Sequence, residues 1–248
     1  MLAYGIQALR TAAFIETTRD PLMTMLSIGV EKMLKLGLGL VHVADTRVWP
    51  PASVLKNDYR HDLIKMEALL REALMHNVDP ATHRYWVDQA LAAVDADPVW
   101  PPLVSALNRY GQEGRFYYLD ALAENPQREE SPKTFWDAAE RVALEHEPEL
   151  DNLFQRMLTV FSLSAEFCKK LNERMADSLQ RFWDLVAMAA VQCAWRTGQR
   201  LGSRLQIDRA PDCRGLTATS AARWAIGKYR GGARNDTLAT PIWSTRAD

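Results

Sequence analysis

Five histidines are the side chains of this sequence that titrate nearest to neutral pH, which makes them the first candidates for proton transfer or metal binding. They are His42, His61, His76, His83 and His146. Their spacing matches no metal-binding pattern, and the sequence contains neither an HExxH motif nor a glycine-rich phosphate loop. A Ser-His-Asp triad would need strand-to-helix turns, which the sequence does not predict. We therefore expect no metal ion and no cofactor.

The most distinctive segment runs from Asp20 to Leu70, where an apolar helix, a proline-rich break and a polar helix start follow one another. The apolar part reads Gly-Val-Glu-Lys-Met-Leu-Lys over residues 29–35, and the polar part reads His-Asp-Leu over residues 61–63. This two-part pattern resembles the HEPN superfamily, the "higher eukaryotes and prokaryotes nucleotide-binding" domains. The resemblance implies an all-α fold, an HEPN-like up-and-down helical bundle over residues 1–125.

Active HEPN proteins carry an arginine, a polar residue and, a few residues later, a histidine. The matching residues here are Lys56, Asn57 and His61, so a lysine stands where the family has arginine. The resemblance implies metal-independent RNA cleavage, in which the 2′-OH attacks the adjacent phosphate and leaves a cyclic phosphate. His61 would then be the general acid or base, Lys56 would stabilise charge on the phosphoryl oxygens, and Asn57 would orient His61 or the phosphate. Lysine keeps the positive charge of arginine but lacks its bidentate fork.

Four further residues are assigned to substrate binding: Arg60, Glu31, Lys32 and Arg115. Glu31 and Lys32 interrupt an otherwise apolar helix, where charged side chains that become buried need partners. Arg60 is adjacent to His61, although neighbours on a helix point in directions about 100° apart. Arg115 precedes three aromatic residues and is a candidate for base stacking or phosphate binding. The alternatives are a solvated helix face for Glu31 and Lys32 and a loop anchor for Arg115.

His61 also has a structural interpretation, as a hydrogen-bonded residue near a helix start at which Asp62 complements the helix dipole. The leading functional hypothesis is an endoribonuclease or RNA-binding effector of a bacterial defence or toxin-antitoxin system. By the resemblance it acts as a homodimer, with RNA and a protein such as an antitoxin as further partners. One alternative is a catalytically silent HEPN-like module for oligomerisation or partner binding, which Lys56 favours. Another is a nucleotide-binding sensor.

Helical periodicity runs through most of the chain, and no segment of convincing length has the alternation of a strand. The helices are predicted over residues 2–18, 21–43, 53–74, 81–94, 135–146 and 149–205, with Ser53 or Asn57 as the cap of the third. The Asp20-Pro21 pair is expected to open the second helix, because proline suits the first helical turn. The last two ranges predict either a hairpin of two long helices or one continuous helix. Residues 110–122 predict a turn followed by a helix or an extended segment.

The predicted organisation has an HEPN-like bundle over residues 1–125 and a possible linker over 126–133, where charged and polar residues surround a proline. A C-terminal helical block covers 134–230, either as a separate unit or packed with the first. Residues 231–248 are expected to be a loose tail.

Charge is nearly balanced, with 30 basic and 31 acidic residues and a net charge of −1, so no overall positive field would gather RNA. Positive charge concentrates near the C-terminal end, where Arg196, Arg200 and Arg204 share one helix face. This face is either an RNA-binding flank or an ordinary solvated surface.

The cellular setting is inferred from cysteine usage and from the absence of a long apolar segment. Three widely spaced cysteines suggest reduced thiols and no disulfide framework. The N-terminus has an early Arg10, and the most apolar stretch, Met23 to Val43, is interrupted by charged residues. We therefore expect a cytoplasmic protein with no membrane partner.

Overall fold

The computed structural model describes residues 1–12, 15–77 and 84–202, and every regular element within these ranges is helical. The all-α class predicted from the sequence is thus confirmed. The α-helices are α1 (Leu2–Thr11), α2 (Ile15–Thr46), α3 (Leu63–Asn77), α4 (Arg84–Asp95), α5 (Trp100–Gln112), α6 (Tyr117–Leu122), α7 (Pro132–His146), α8 (Pro148–Thr159) and α9 (Ser164–Gly202). Short helical turns occur at Val54–Asp58, Gly114–Phe116 and Phe161–Leu163. In the described ranges, no helix is both long and apolar enough to cross a membrane.

The central element is α2, which packs against α1, α3, α5 and α9. Leu26, Val30 and Leu34 are fully buried, and their four-residue spacing places them on one side of the helix. The predicted start of this helix is wrong. It begins at Ile15, and Pro21, which was expected to open it, lies inside it.

The chain reverses direction between α1 and α2, before it reaches Pro21, because the two helices pack against each other. The first helix ends at Thr11, and Ala12 has an extended backbone. A Cβ atom added at Gly29 would lie 2.7 Å from the Cα atom of Leu2, so the two helices approach closely at this point. This tertiary packing outweighs the preference of Pro21 for the first turn of a helix, because tertiary contacts commonly override local helix propensity.

The segment predicted as a linker, residues 126–133, is held against the end of α5. The buried guanidinium of Arg109 donates from Nε to the Glu130 carbonyl at 2.9 Å. The Gln127 amide donates to the Glu113 carbonyl at 3.0 Å. Residue 132 is already the first residue of α7, and the Ser131 hydroxyl caps that helix by accepting the amide of its third residue.

The long C-terminal helix α9 packs on α1, α2, α4 and α8. Its mostly buried Arg174 and its partly exposed Arg181 both donate to the carboxylate of Asp97, which lies between α4 and α5 and is almost completely buried. The run predicted as two long helices or one is instead a short α8 and a long α9, separated at Val160. One core cluster includes buried residues from Leu2 through Ala189.

Other sequence predictions have simpler outcomes. Residues 110–122 form the end of α5, a turn and the short helix α6, which agrees with the predicted turn followed by a helix. The thiol of Cys168 is free and half-buried. Arg204 and the predicted tail at 231–248 lie outside the described residues, and of Arg196 and Arg200 the structure describes the helical backbone alone.

Candidate functional site

The predicted catalytic histidine lies in a tight turn that joins the helical turn Val54–Asp58 to α3. The Asp62 amide donates to the Tyr59 carbonyl at 3.2 Å, which closes a turn with Arg60 and His61 at its centre. Tyr59 packs on the core at one end. Asp62 caps α3 at the other end, where its Oδ1 accepts the amide of Lys65 at 2.9 Å.

Arg60 adopts a positive φ of 49° in this turn. A side chain in the left-handed region costs roughly 1–2 kcal/mol relative to glycine, so this backbone is strained. The conformation also explains why the predicted third helix, which was expected to start at Ser53 or Asn57, is interrupted. A right-handed helix cannot continue through a left-handed residue, and α3 therefore begins only at Leu63.

The imidazole of His61 contacts α2 through Glu31. Its Nδ1 atom lies 2.9 Å from Glu31 Oε2, while Lys35 Nζ donates to Glu31 Oε1 at 2.8 Å. The His61 side chain is 59% exposed, whereas that of Glu31 is 16% exposed. We call Glu31, Lys35 and His61 together the His61 cluster. It joins two residues that the sequence had assigned to different roles, His61 to catalysis and Glu31 to substrate binding.

The Glu31 carboxylate is charged under ordinary conditions. Burial raises its pKa, but the hydrogen bonds with His61 and Lys35 and the charges of these partners outweigh burial and hold the pKa below the usual glutamate value. An ionised carboxylate accepts a hydrogen bond from the imidazole Nδ1–H. This contact leaves Nε2 as the ring nitrogen that can exchange a proton with a bound substrate.

Two further side chains position the turn and were not among the predicted site residues. The Asn108 amide oxygen, on α5, accepts the Leu63 amide at 2.8 Å. The Lys65 ammonium donates to the Asp58 carbonyl at 2.8 Å and so ties the helical turn before His61 to α3. Both bonds fix the backbone on either side of the histidine.

Lys35 and Asn108 both contact the site but were not predicted, and the sequence signals that could have identified them differ in strength. Lys35 follows Glu31 by four residues, and this spacing on a helix is a known ion-pair arrangement that could have identified it. Asn108 is 45 residues from its partner Leu63 in the sequence, and no local sequence pattern predicts such a contact.

Three other predicted site residues are not hydrogen-bonded to His61 or Glu31. Lys56 and Asn57 lie on the exposed helical turn Val54–Asp58, and within the described ranges neither side chain makes a hydrogen bond or an ion pair. Lys32 is exposed on α2, and its ammonium lies 3.7 Å from the Met1 sulfur. The structure therefore does not join Lys56, Asn57 or Lys32 to the His61 cluster by direct contact.

Arg115 lies in the turn after α5, where its guanidinium carbon is 5.0 Å from the centre of the Phe116 ring. This cation–π contact holds the side chain at the protein surface. In the part of the chain that the structure describes, Arg115 makes no direct contact with the His61 cluster. Nor do the described residues include any group of three or more His, Cys, Asp or Glu side chains arranged to hold a metal ion.

No protein-family model, curated protein or solved structure matches this chain. The all-helical architecture is established by the structure itself. The HEPN resemblance rests on residues 20–70.

Proposed function

We propose that this protein is an HEPN-like, metal-independent endoribonuclease or RNA-binding effector whose site is centred on His61. The observation that carries the proposal is the contact between His61 Nδ1 and Glu31 Oε2 at 2.9 Å. A carboxylate partner on Nδ1 fixes the ring and its tautomer, which is what a proton-transferring histidine requires. The side chain is 59% exposed, so an RNA strand can reach the ring from solvent.

The proposed reaction is an internal transfer at one phosphodiester. The ribose 2′-oxygen forms a bond to phosphorus while the bond from phosphorus to the 5′-oxygen breaks, which leaves a cyclic phosphate and a 5′-hydroxyl. Of the two proton transfers, His61 Nε2 carries out one, either taking the proton of the 2′-OH or delivering a proton to the leaving 5′-oxygen, and a water molecule carries out the other. Proton transfer of this kind contributes roughly 10²- to 10⁴-fold to a rate.

The phosphate would be held by cations that flank His61 in the sequence. Lys56 and Arg60 both have exposed side chains on the segment that leads into the histidine. Positive charge near the phosphoryl oxygens stabilises the charge that builds there in the transition state. Asn57, next to Lys56, is the proposed orienting residue, and Lys32 and Arg115 would contact more distant parts of the RNA.

The assembly proposed is a homodimer in which two copies of this site face each other across a two-fold axis. The helices of residues 1–125 would form the HEPN-like up-and-down bundle, with the C-terminal helices as an added block. A bacterial defence or toxin-antitoxin system, with an antitoxin-like partner protein, is the setting that the resemblance implies.

The role of Lys56 provides a direct test of the phosphate site. We expect Lys56→Arg to increase the rate of RNA cleavage, because arginine adds a bidentate contact to phosphate, and Lys56→Met to decrease it. Lys170→Met is the matched control, since Lys170 is an exposed lysine on α9, and we expect it to cleave at the wild-type rate. Equal rates for all three variants and the wild type would remove Lys56 from the site.

A second candidate function is a catalytically silent HEPN-like module that binds a partner or oligomerises. The observation that favours it is the exposure of large apolar side chains on α6, where Tyr118, Leu119 and Leu122 are each more than half exposed. This alternative predicts that neither the wild type nor Lys56→Arg cleaves RNA. It also predicts that Leu119→Ser lowers the oligomer mass measured by light scattering, while Glu72→Gln on α3 leaves that mass unchanged.

A further inference from the structure

Trp49 lies in the loop that follows α2, and the backbone of this loop is fixed on both sides of the tryptophan. Arg47 has a positive φ of 69°, the left-handed conformation that commonly ends a helix and redirects the chain. The Val48 amide donates to the Thr46 hydroxyl at 3.3 Å. After the tryptophan, the Pro50–Pro51 pair restricts the backbone further, because proline fixes φ. The loop therefore holds Trp49 in a defined place.

The indole of Trp49 packs on α2 at Gly39, which is buried. A Cβ atom added at Gly39 would meet Cη2 of the indole most closely, and the two ring neighbours of that atom, Cζ2 and Cζ3, at 2.6 and 2.7 Å. Both neighbours lie nearly as close as Cη2, as they do for a point above the ring plane. A point in the plane beyond Cη2 would be clearly farther from both. One face of the indole therefore covers the glycine, which leaves room for it because it has no side chain.

Nearly half of the Trp49 surface stays open to solvent despite this contact. The residue is 45% exposed, and its accessible surface lies on the parts that do not cover Gly39, which include the opposite face of the indole. Tryptophan is highly buried in most folded proteins, so an indole that is supported from below and open above is unusual. A supported aromatic face is the surface on which an unpaired nucleobase stacks.

Trp49 and His61 contact the same side of α2. Trp49 packs at Gly39, and eight residues earlier in that helix Glu31 bonds to His61. Residues four apart are neighbours along a helix surface, and Lys35 lies midway in this row. Eight helical residues rise about 12 Å, which is the separation of the two contact points along the helix axis. The chain between Trp49 and His61 thus runs back along α2, in the opposite direction to the helix.

The residues between these two contacts supply positive charge. Lys56 and Arg60 are both exposed in this segment. Proteins that bind single-stranded nucleic acid combine cations, which follow the phosphates, with aromatic side chains on which bases stack. The loop after α2 has the aromatic side chain at one end and the cations toward the other, next to His61.

We propose that Trp49 is a base-stacking residue, which holds one unpaired nucleobase of single-stranded RNA while the strand continues past Lys56 toward His61. Cleavage of that strand rests on the proposed function. Stacking does not, because it needs no 2′-OH and can be measured on single-stranded DNA, which the proposed reaction cannot cleave.

The experiment measures the fluorescence anisotropy of a labelled single strand, made as RNA and as DNA of one sequence, during titration with the full chain. Trp49→Leu keeps an apolar side chain over Gly39 but removes the aromatic face. We expect it to bind both strands at least about 5-fold more weakly, the low end of what stacking contributes. Trp49→Phe keeps a ring face and should bind within about threefold of wild type. A double strand, whose bases already stack on one another, should bind equally to wild type and Trp49→Leu.

Trp86→Leu is the matched control, because Trp86 is an exposed tryptophan on a different helix. It lies on α4, is 58% exposed and packs edge-to-face with Tyr85. The helix α4 packs on α9 and carries none of the residues of the His61 cluster. We expect Trp86→Leu to bind the single strands as tightly as wild type.

Gly39→Ala tests the support beneath the ring while leaving the tryptophan in place. The added methyl group would displace the indole, so the variant should also bind single strands at least about 5-fold more weakly. Gly37→Ala on the same helix meets only side-chain ends, at 3.3 Å or more, and should bind like wild type. Thermal unfolding of each variant checks that it is folded at the temperature of the titration.

Equal binding of single strands by Trp49→Leu and wild type would overturn the inference, as would an equal loss in Trp86→Leu. If binding depends on Trp49 while the wild type cleaves no RNA, the proposed cleavage fails and the stacking role stands. If the wild type cleaves RNA while Trp49→Leu binds both strands normally, the proposed function stands and the stacking role fails.

Discussion

His61 Nδ1 and Glu31 Oε2 lie 2.9 Å apart, which joins a surface turn to the central helix of the protein. The glutamate is nearly buried, while the histidine is more than half exposed. One end of this pair is therefore held by the packed helices, and the other end meets solvent. A rigid support beneath an exposed imidazole is the arrangement that proton transfer to a bound substrate requires.

Replacing the carboxylate should reduce cleavage without unfolding the protein. Glu31→Gln keeps the size of the side chain but removes the charge that fixes the imidazole tautomer. We expect the cleavage rate to fall by about tenfold or more, which corresponds to a loss of about 1.4 kcal/mol of transition-state stabilisation. Glu72 is an exposed glutamate on α3, and the control variant Glu72→Gln should retain the wild-type rate. If both variants cleave RNA equally well, Glu31 does not support His61.

The strained turn predicts that stability and activity change in opposite directions. Arg60→Gly relieves a φ of 49° and should raise the free energy of unfolding by up to about 1 kcal/mol, because glycine adopts this conformation without steric cost. The same change removes a cation next to His61 and should lower the cleavage rate. Chemical denaturation and the RNA assay measure the two effects.

The matched control for the backbone effect is Glu124→Gly, since Glu124 has a φ of 58° and follows α6. It should also become more stable while cleaving RNA at the wild-type rate. A loss of stability in Arg60→Gly would mean that the arginine side chain stabilises the turn more than its backbone strains it.

Glycine at position 29 should be required for packing. An added Cβ would lie 2.7 Å from backbone atoms of Leu2, which cannot move without shifting α1. We expect Gly29→Ala to lower the free energy of unfolding by about 1–3 kcal/mol, as overpacking does. Gly37→Ala in the same helix meets only side-chain ends of Leu70 and Val186 at 3.3 Å or more, so its stability should stay near that of wild type. Equal losses in the two variants would contradict the close approach of α1 and α2.

Acid should weaken the ion pairs between Asp97 and α9. Burial raises the pKa of Asp97, but the hydrogen bond and charge of Arg174, together with the other hydrogen bonds to the carboxylate such as that from the Val99 amide, outweigh burial and hold the pKa below the ordinary aspartate value of 3.8. A carboxyl whose pKa is lower in the folded state contributes stability that is complete above pH 3.8 and is lost as the pH falls below it. Denaturation at pH 6 and at pH 3 should therefore show a steeper loss in wild type than in Asp97→Asn.

At pH 6 the Asp97→Asn variant should already be less stable by about 1.5–3 kcal/mol, because it weakens hydrogen bonds to two charged guanidinium groups. Parallel pH dependences in the two proteins would show that Asp97 keeps an ordinary affinity for protons.

The sequence identified the helical class and most helices because apolar residues recur at helical spacing, as in Leu26, Val30 and Leu34. It misplaced the start of α2, since the local signal of Pro21 was overridden by the contact between α1 and Gly29. The helical periodicity also ran through the break before α3, because a positive φ at a non-glycine residue such as Arg60 has no signature in composition. The structural interpretation of His61 and Asp62 as a helix start is confirmed, since α3 begins at Leu63.

The candidate site was predictable only in part. His61 was selected through the HEPN-like pattern, and Glu31 was selected as a charged residue that interrupts an apolar helix. Their contact could not be predicted, because it depends on how far the turn after α2 folds back over that helix. Asn108 illustrates the same limit, since a residue on α5 caps a helix that starts 45 positions earlier.

The most direct measurement is the incubation of purified wild type and His61→Ala with a mixed RNA pool in EDTA, followed by analysis of the fragment ends. We expect fragments with cyclic phosphate ends from the wild type and a rate lower by roughly 10²-fold or more from His61→Ala. No cleavage by the wild type, or equal cleavage by both proteins, would contradict an RNA-cleaving site centred on His61.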